Sequence, residues 1–289
     1  MKRRAFLKHT AKTATAIGLG TFPYHLFAGE QKKYAQDIIE LGKTGLKVTR
    51  LAMGTGTNGW GKSSDQSRKL GIKGLGEFLQ YAYDNSVFFW DSADQYGTHP
   101  HLREALRYVP REKVTILTKT HATTEEEMRS DLDRFRKEIG TDYLDIVLLH
   151  NMQSADWPEH KKAAMDILSL AREDGIIKAH GVSCHTLPAL KSAAASDWVQ
   201  VDLARFNQAG VSMDSDVQTV AAVLKKMKSA GKAIIGMKVL GAGKLANRVD
   251  ESLQFQLAHD FIDCFTIGQE SVAQFDDLLK RIPAASTRG

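Results

Sequence analysis

The sequence predicts an α/β fold, namely a (β/α)8 TIM barrel with an N-terminal β-hairpin that closes the barrel bottom. Short β-branched runs alternate with amphipathic helical patterns from residue 38 onward, and there are eight of each. Strict alternation of eight βα units over about 250 residues fits a closed barrel. No internal repeat or low-complexity linker interrupts the pattern, so we expect one barrel domain over residues 38–289.

The eight predicted strands are apolar runs of ordinary strand length. They cover residues 48–53, 87–92, 114–119, 144–150, 177–183, 199–206, 233–240 and 264–268. The predicted helices cover residues 70–84, 100–109, 123–140, 158–174, 187–196, 214–230, 249–259 and 271–281. In the third helix the apolar residues share one face, and Thr123 with Glu126 predicts a capping box.

Ahead of the first barrel strand, the segment IIELGKTGLKV has apolar alternation on both sides of Gly42–Gly45. This pattern is typical of a β-hairpin. We expect the hairpin to plug the N-terminal end of the barrel.

The alternative fold is an open doubly wound sheet with a Rossmann phosphate loop. Residues 53–61, MGTGTNGWG, place Gly54, Gly56 and Gly59 at the required G-x-G-x-x-G spacing. In a Rossmann unit, however, the glycines lead directly into a helix. Here a polar stretch follows Gly61, and helical periodicity begins only about a dozen residues later. We therefore interpret the glycines as part of a strand-to-helix loop of another fold.

The chain of 289 residues carries a formal net charge of +5. Residues 1–28 hold five basic side chains and no acid, so five minus five leaves the rest of the chain electrically balanced. This balance removes the compositional case for a nucleic-acid partner or a membrane-surface role. No later stretch reaches the roughly 18 apolar residues of a membrane span, so we expect no membrane anchor in the mature form.

Two cysteines, Cys184 and Cys264, each lie at the end of an apolar run, and neither has a CxxC partner. Two are too few for a disulfide framework. We predict buried free thiols, with no redox pair and no metal site.

The N-terminal segment, residues 1–28, is predicted to be a twin-arginine signal peptide. The basic start KRRAFLK precedes the weakly apolar run TATAIGLGTF. Such signals are read by the twin-arginine translocase, which exports folded proteins. We therefore expect a periplasmic or otherwise exported protein, cleaved near Ala28, with a linker at residues 29–37. The alternative is a disordered basic tail.

In TIM barrels the functional groups lie at the C-terminal ends of the strands. Asp91 ends the second predicted strand, Tyr96 lies in the loop after it, Lys119 ends the third and His150 the fourth. Each alone is explained by strand capping, a solvated edge or loop packing. Together they form an acid–base group, because a nearby ammonium lowers the pKa of a phenol by favouring phenolate. We expect Lys119 to lower the pKa of Tyr96, Asp91 to orient Lys119, and His150 to hydrogen-bond a substrate oxygen.

The stretches LGKTGLKVTRLAMGTGT, FFWDSADQYG, ILTKT, YLDIVLLH and GVSCH occur in this order. In them the chain resembles the aldo-keto reductase superfamily, over essentially all of residues 38–282. The resemblance implies a catalytic tetrad of Asp91, Tyr96, Lys119 and His150. Tyr96 would be the general acid for a carbonyl reduced by hydride from NAD or NADP.

The resemblance also places the glycine-rich turn at the nicotinamide end of the cofactor, where glycine lets the backbone approach a ligand. Two positions depart from the family, because Cys184 follows Ser183 where Asn is usual and Leu203 replaces a Gln of the sixth strand. Lys238 is expected near the pyrophosphate and Asp277 near the adenine. The predicted cofactor-binding residues are Gly54, Thr55, Ser183, Met237, Lys238, Leu240, Gly268, Gln269, Glu270, Gln274 and Asp277.

The last barrel loop, TIGQESVAQFDDLL, favours NAD over NADP. Relatives that prefer NADP place Lys or Arg where this chain has Gly268 and Gln274, and the chain adds Glu270. A carboxylate repels a 2′-phosphate but accepts hydrogen bonds from a ribose diol. Only PAASTRG follows the last predicted helix, so we expect an open pocket for a bulky or glycan-like substrate, with Trp60 and Asn151 at its rim.

Three functions remain open from the sequence. The first is an oxidoreductase that interconverts a carbonyl and an alcohol on a small or sugar-like substrate. The second is a redox-neutral epimerase or eliminase with a tightly retained NAD, which would suit a compartment without a pool of reduced cofactor. The third is a non-catalytic binding subunit, which the intact tetrad disfavours.

Overall fold

The computed structural model describes residues 32–286, which form a closed barrel preceded by a hairpin. The hairpin strands are β1 (Ile38–Glu40) and β2 (Lys47–Thr49). The barrel strands are β3 (Leu51–Gly54), β4 (Phe89–Asp91), β5 (Thr115–Thr120), β6 (Leu144–Met152), β7 (Ile177–Cys184), β8 (Val201–Arg205), β9 (Ala233–Met237) and β10 (Cys264–Gly268). All eight pair in parallel and in chain order, and β10 closes onto β3. The predicted (β/α)8 fold is confirmed.

Helices follow the barrel strands as the periodicity predicts. They are α1 (Asp65–Asp84), α2 (His99–Ala105), α3 (Glu125–Ile139), α4 (Trp157–His160), α5 (Lys162–Glu173), α6 (Leu187–Ala195), α7 (Val217–Ser229), α8 (Val249–Ala258) and α9 (Val272–Ala285). The first helix begins at Asp65, earlier than predicted, because Ser64 caps it by accepting a hydrogen bond from the backbone N–H of Ser67. Gly71, at φ 63°, breaks its regular backbone, so the periodicity is regular only after this point.

The capping box of α3 is one residue later than predicted. Thr124, not Thr123, accepts from the backbone N–H of Glu127, and Glu127 rather than Glu126 returns the contact. Thr124 has the extended backbone that an N-cap requires. Two adjacent threonines followed by three glutamates offer the same spacing in either register, which is why the sequence alone did not decide between them.

The hairpin closes the N-terminal end of the barrel, as predicted. Leu41 and Val48 are fully buried and pack with the side chains that fill the barrel interior. The backbone N–H of Lys43 donates to the carbonyl of Gly231 just before β9. Gly42 adopts φ 53°, and a Cβ there would lie 2.6 Å from the backbone nitrogen of Ala233, so only glycine fits this contact.

Residues 33–37, which we predicted as part of a linker, pack on the barrel. Ala35 is fully buried, the carboxylate of Asp37 pairs with Arg50, and the ammonium of Lys33 donates to the carbonyl of Leu257. This stretch therefore belongs to the barrel unit. The predicted signal peptide and residues 29–31 lie outside the described residues.

Two further predictions concern buried and apolar segments. Cys184 and Cys264 are buried free thiols, as predicted. Within residues 32–286, no helix combines the length and the apolar composition needed to cross a bilayer.

Asp202 on β8 is buried on the side of the barrel away from the interior, and neither of its carboxylate oxygens has a hydrogen-bond partner among the described residues. Burial raises the pKa of this carboxyl well above its usual value, Asp214 adds to the rise and Lys232 opposes it. The folded state therefore favours the protonated form of Asp202. In the unfolded chain the pKa of an Asp carboxyl is about 3.9. The contribution of protonated Asp202 to the free energy of unfolding is therefore complete below that pH and is lost as the pH rises through the folded pKa.

We expect Asp202→Asn to stabilise the protein, because the amide has the shape of the protonated acid and cannot ionise. The gain should be larger at pH 8 than at pH 5, because the free energy lost by keeping the carboxyl protonated in the folded state grows as the pH rises. Urea unfolding at the two pH values measures it, with the exposed Asp142→Asn as the matched control. Equal gains at both pH values would contradict the assignment.

Candidate active site

Asp91 and Lys119 form a buried ion pair at the C-terminal ends of β4 and β5. The Lys119 Nζ lies 2.5 Å from Asp91 Oδ1 and donates to the carbonyl of Ser92 at 2.7 Å. The other carboxylate oxygen of Asp91 accepts from the hydroxyl of Thr266 on β10 at 2.9 Å. The adjacent parallel strands β4 and β5 bring the pair together, and Asp91 holds the ammonium in one place, as the sequence analysis predicts.

Tyr96 reaches this pair from a short 3-10 turn, Asp94–Tyr96, in the loop after β4. Its hydroxyl lies 3.5 Å from Lys119 Nζ, and the ammonium lies 4.7 Å from the centre of the phenol ring. The ring of His150, from β6, meets the Tyr96 ring edge to face at 5.7 Å between centroids. The four side chains that the sequence predicts as a group are therefore in one place.

The pKa of Tyr96 differs from the sequence prediction. We expected Lys119 to lower it, and Lys119 does act in that direction, but burial has the largest effect and Asp91 adds to it, so the pKa is raised. For Lys119, burial opposes the charged form, yet Asp91 and Tyr96 outweigh it and raise the pKa of the ammonium. The site thus holds a protonated phenol beside a charged lysine, which suits a proton donor.

His150 is neutral in this environment. Burial lowers its pKa well below the usual value, and Lys119, His121, His185 and Lys238 lower it further. Its Nδ1 is buried with no hydrogen-bond partner in residues 32–286. A neutral imidazole retains one N–H, which can donate to a ligand oxygen.

The glycine-rich turn holds the ring of Tyr96 between two of its glycines. A Cβ on Gly56 would lie 2.2 Å from Tyr96 Cε2, and a Cβ on Gly59 would lie 2.3 Å from Tyr96 Cδ1. Gly54 instead packs against β10, where a Cβ would lie 2.9 Å from Thr266 Oγ1. We interpreted these glycines as places where the backbone approaches a ligand. For Gly56 and Gly59, the group that approaches is the protein's own tyrosine.

A cleft of about 490 Å³ opens beside Asp91 and Tyr96 and runs along β3, β9 and β10 to α9. It has the size of a small-molecule site. The predicted cofactor-binding residues that line it are Gly54, Met237, Lys238, Leu240, Gly268, Gln269, Glu270, Gln274 and Asp277. They are brought together from three loops that are far apart in the sequence.

Four other predicted contacts are not among the residues that line the cleft. The Thr55 hydroxyl is buried and hydrogen-bonds the Asp91 carbonyl and the Thr98 hydroxyl. It therefore stabilises the loop and does not line the cleft. The Ser183 hydroxyl accepts from the backbone N–H of Asn151 at 2.9 Å. Trp60 stands 75% exposed on the turn after Gly59.

The far end of the cleft contains charged groups that the sequence analysis did not include. Arg281 lines the cleft there and pairs with Asp277 and Asp250. Lys69 forms an ion pair with Glu270, which we had treated as a free carboxylate. The i,i+4 spacing of Asp277 and Arg281 on one helix was a usable signal for the first contact, whereas Lys69 and Glu270 are too distant in sequence to be linked.

The cleft has features that fit a nicotinamide dinucleotide. The side chain of Gln269 is 2% exposed, and neither its amide oxygen nor its nitrogen has a partner in the described part of the chain. A buried amide of this kind requires a ligand or water to satisfy it. Gly54 and Gly268 also line the cleft, beside Thr266, whose hydroxyl donates to Asp91.

In residues 32–286, one cluster has the composition of a metal site. Asp94, His99 and Glu138 bring their ligand atoms within 4.8 Å of one another. However, Arg134 pairs with both carboxylates, and His99 bonds Glu138 and the Thr118 hydroxyl. These contacts already account for the cluster.

Comparison with known proteins places these features in a family. The profile of the Aldo/keto reductase family matches residues 50–282. The chain is 27% identical over 139 residues to glycerol 2-dehydrogenase (NADP(+)) of Saccharomyces cerevisiae, an alignment covering 46% of this chain and 39% of that protein. It is 30% identical over 145 residues to versiconal hemiacetal acetate reductase of Aspergillus parasiticus, and this alignment covers 46% of this chain and 41% of that protein. The chain thus spans about two fifths of the length of these relatives.

Solved structures share the fold. A putative aldo-keto reductase from Pseudomonas aeruginosa superimposes with a TM-score of 0.71 at 20% identity, covering 88% of this chain and 97% of that one. An aldo-keto reductase from Bacillus halodurans, in its holo form, superimposes with a TM-score of 0.69 at 14% identity, and the match covers 89% of this chain and 94% of that one. At these identities the likeness concerns the barrel itself.

Proposed function

Because the chain belongs to the aldo/keto reductase family, we propose that it is an NAD(P)-dependent oxidoreductase that interconverts a carbonyl and an alcohol. The observation that carries the proposal is the buried Asp91–Lys119 pair with the Tyr96 hydroxyl 3.5 Å from the ammonium. This group lies at the edge of a cleft of suitable size for a ligand.

The reaction follows from the protonation states. When bound, the nicotinamide supplies the hydride to the carbonyl carbon. Tyr96 donates its phenolic proton to the carbonyl oxygen, and Lys119 stabilises the phenolate that this transfer leaves. Asp91 keeps Lys119 charged and oriented, while the N–H of neutral His150 hydrogen-bonds the substrate oxygen as negative charge develops on it. In the oxidation direction, the phenolate of Tyr96 takes the proton back.

For the cofactor, we infer that the cleft residues from Leu240 to Asp277 hold the dinucleotide, with Gln269 satisfied by it. We retain the preference for NAD, although for a different reason than Glu270 alone. Glu270, Asp277 and Asp250 outnumber Lys69 and Arg281 around the distal end. A surplus of carboxylates disfavours a 2′-phosphate.

The test of the proposal is oxidation of NADH and of NADPH by the purified protein with a panel of aldehydes, ketones and sugars. We expect turnover with a diffusible nicotinamide and a lower KM for NADH. Mass spectrometry of the denatured protein provides the second measurement. Near-stoichiometric NAD released from it, together with product formation without added cofactor, would favour the redox-neutral alternative. Ligand binding without any turnover would favour a binding subunit.

We further propose that the protein is exported through the twin-arginine translocase, with Trp60 and Asn151 at the rim of an open pocket. Adjacent Arg3 and Arg4 support the export proposal. Cell fractionation of the Arg3→Lys, Arg4→Lys double variant tests it, and unchanged export would contradict it.

A further inference from the structure

We propose that His121 and Gln95 are positioning residues for His150, whose N–H hydrogen-bonds the substrate oxygen under the proposed function. His121 lies in the loop after β5, and Gln95 lies in the 3-10 turn that carries Tyr96. Neither belongs to the four side chains to which the reaction is assigned. The inference rests on the proposed function, because His150 needs a fixed direction only if its N–H donates to a ligand.

The ring of His150 is held by contacts with other rings. Histidines at functional sites are commonly oriented by a hydrogen bond to their second ring nitrogen. The Nδ1 of His150 is buried and has no such partner among residues 32–286. Instead, the Tyr96 ring meets it edge to face at 5.7 Å, and the His121 ring stacks on it at 4.8 Å with 28° between the planes. Both separations are in the range of favourable ring pairs.

Gln95 fixes the orientation of the stacked His121 ring. His121 Nε2 lies 2.6 Å from Gln95 Oε1, and Gln95 Nε2 donates to the carbonyl of Gly59 at 3.0 Å. Because the amide nitrogen of Gln95 bonds Gly59, the amide oxygen accepts from His121, whose Nε2 therefore carries a hydrogen. The amide of Gln95 thus determines both the direction of the His121 ring and, in its neutral form, the tautomer.

Lys161 holds the backbone of the same loop. Its ammonium donates to the carbonyls of His121 at 2.7 Å and Ala122 at 3.0 Å, and to the hydroxyl of Thr123 at 2.7 Å. His121 is exposed, and an exposed side chain without such contacts changes rotamer within nanoseconds. Contacts to both its ring and its carbonyl keep this exposed imidazole against His150.

The contacts form a closed path that fixes His150 relative to Tyr96. Gln95 precedes Tyr96 in the chain and hydrogen-bonds His121. His121 stacks on His150, and His150 in turn meets Tyr96. Gly59, which accepts from Gln95, also encloses the Tyr96 ring. The path sets the proton donor and the hydrogen-bond donor at one angle to each other, as two groups that act on one oxygen require.

Removal of the stacked ring should therefore reduce turnover. Loss of a complete oxyanion donor lowers kcat by about 10²- to 10³-fold, so a donor that is present but free to turn should cost less. We expect His121→Ala to lower kcat by about tenfold and to leave the substrate KM and the cofactor Kd unchanged. His121→Phe keeps a stacked ring and should retain more activity. His160→Ala removes a 70% exposed imidazole from α4 and is the matched control.

Gln95→Leu tests the hydrogen bond while the stacked ring is still present. Leucine has a volume close to that of glutamine, but it can neither accept from His121 nor donate to Gly59. We expect kcat to fall between about twofold and tenfold, the size of one hydrogen bond. Gln218→Leu, at an exposed position of α7, is the matched control and should keep the wild-type rate.

A double-mutant cycle with His150→Ala decides whether His121 acts through His150. If it does, His121→Ala should have almost no further effect on the residual rate of His150→Ala. A further tenfold loss in that background would overturn the inference. A rise in substrate KM without a change in kcat would also overturn it, because His121 would then be a substrate contact.

Imidazole NMR of the full-length protein without ligand separates this inference from the proposed function. The His150 signals are assigned by their loss in His150→Ala. We expect one sharp set of them in the wild type and broadened or doubled signals in Gln95→Leu, since the ring then exchanges between orientations. This result without turnover of any carbonyl would support the positioning of His150 and count against the proposed function. Signals that are equally sharp or equally broad in the two proteins would overturn the inference, whatever the activity.

Discussion

Replacing Tyr96 by Phe is expected to lower kcat for carbonyl reduction by about 10²- to 10⁴-fold, the usual contribution of a positioned general acid. Phenylalanine keeps the ring that Gly56 and Gly59 enclose and removes only the hydroxyl beside Lys119. The fold and the cofactor cleft should therefore be unaffected. Stopped-flow or steady-state oxidation of NADH measures the loss.

Three further measurements make this result specific. The cofactor KM and the thermal midpoint should stay at their wild-type values. Tyr108→Phe, which removes a hydroxyl from an exposed tyrosine, serves as the matched control. Retention of more than about a tenth of the wild-type kcat in Tyr96→Phe would exclude Tyr96 as the general acid and would leave His150 as the remaining donor.

The pH dependence of the wild-type enzyme follows from the same residue. The pKa of Tyr96 is raised, so the phenol stays protonated throughout the neutral range. Carbonyl reduction needs the protonated form, so its rate should be level through neutral pH and fall only as the pH approaches this raised pKa. Alcohol oxidation needs the phenolate and should rise over the same range. Tyr96→Phe should lose both dependences.

The sequence predicted that Asp91, Lys119 and His150 lie together because their positions follow from strand topology. Asp91, Lys119 and His150 end consecutive parallel strands, and a closed barrel brings such ends together without further information. Strand topology also predicted most of the residues that line the cleft, since they lie at or after the ends of β3, β9 and β10. The fold and the grouping of these side chains were predictable here because periodicity determines the strands, and the strands determine which side chains meet.

What the sequence did not predict depends on contacts between side chains. The direction of the Tyr96 pKa results from burial outweighing a single ammonium, and burial of a loop residue cannot be read from local pattern. The pairing of Lys69 with Glu270 joins residues about two hundred positions apart. The ring of Tyr96 between two glycines likewise depends on how two separate loops meet. None of these leaves a periodic signal.

The packing of Tyr96 leads to a second prediction with a large effect. Gly59→Ala should lower kcat by about 10²-fold, because the new methyl group would lie 2.3 Å from Tyr96 Cδ1 and must displace the ring. Misplacement of a catalytic group by about 1 Å is sufficient for a loss of this size. Gly56→Ala, whose methyl group would lie 2.2 Å from Tyr96 Cε2, should act in the same way at the other edge of the ring.

The control must be a glycine whose replacement displaces nothing. Gly74 in α1 meets this condition, since a Cβ there has only the Leu70 Cβ near it, at 3.4 Å. Gly74→Ala should keep full activity and gain slightly in stability, because alanine is the better helix former. Gly59→Ala should lose about 1–3 kcal/mol of stability through overpacking, so kcat is compared at a temperature where all variants are folded.

A double-mutant cycle separates positioning of the Tyr96 hydroxyl from general damage to the site. If Gly59 acts through that hydroxyl, Gly59→Ala should have almost no further effect on kcat in the Tyr96→Phe background, because the group it misplaces is already absent. If the alanine instead disturbs the cleft, the residual rate of Tyr96→Phe should fall by the same 10²-fold and the cofactor KM should rise. The first result would assign the glycines of this turn to the tyrosine, and the second would assign them to the bound ligand.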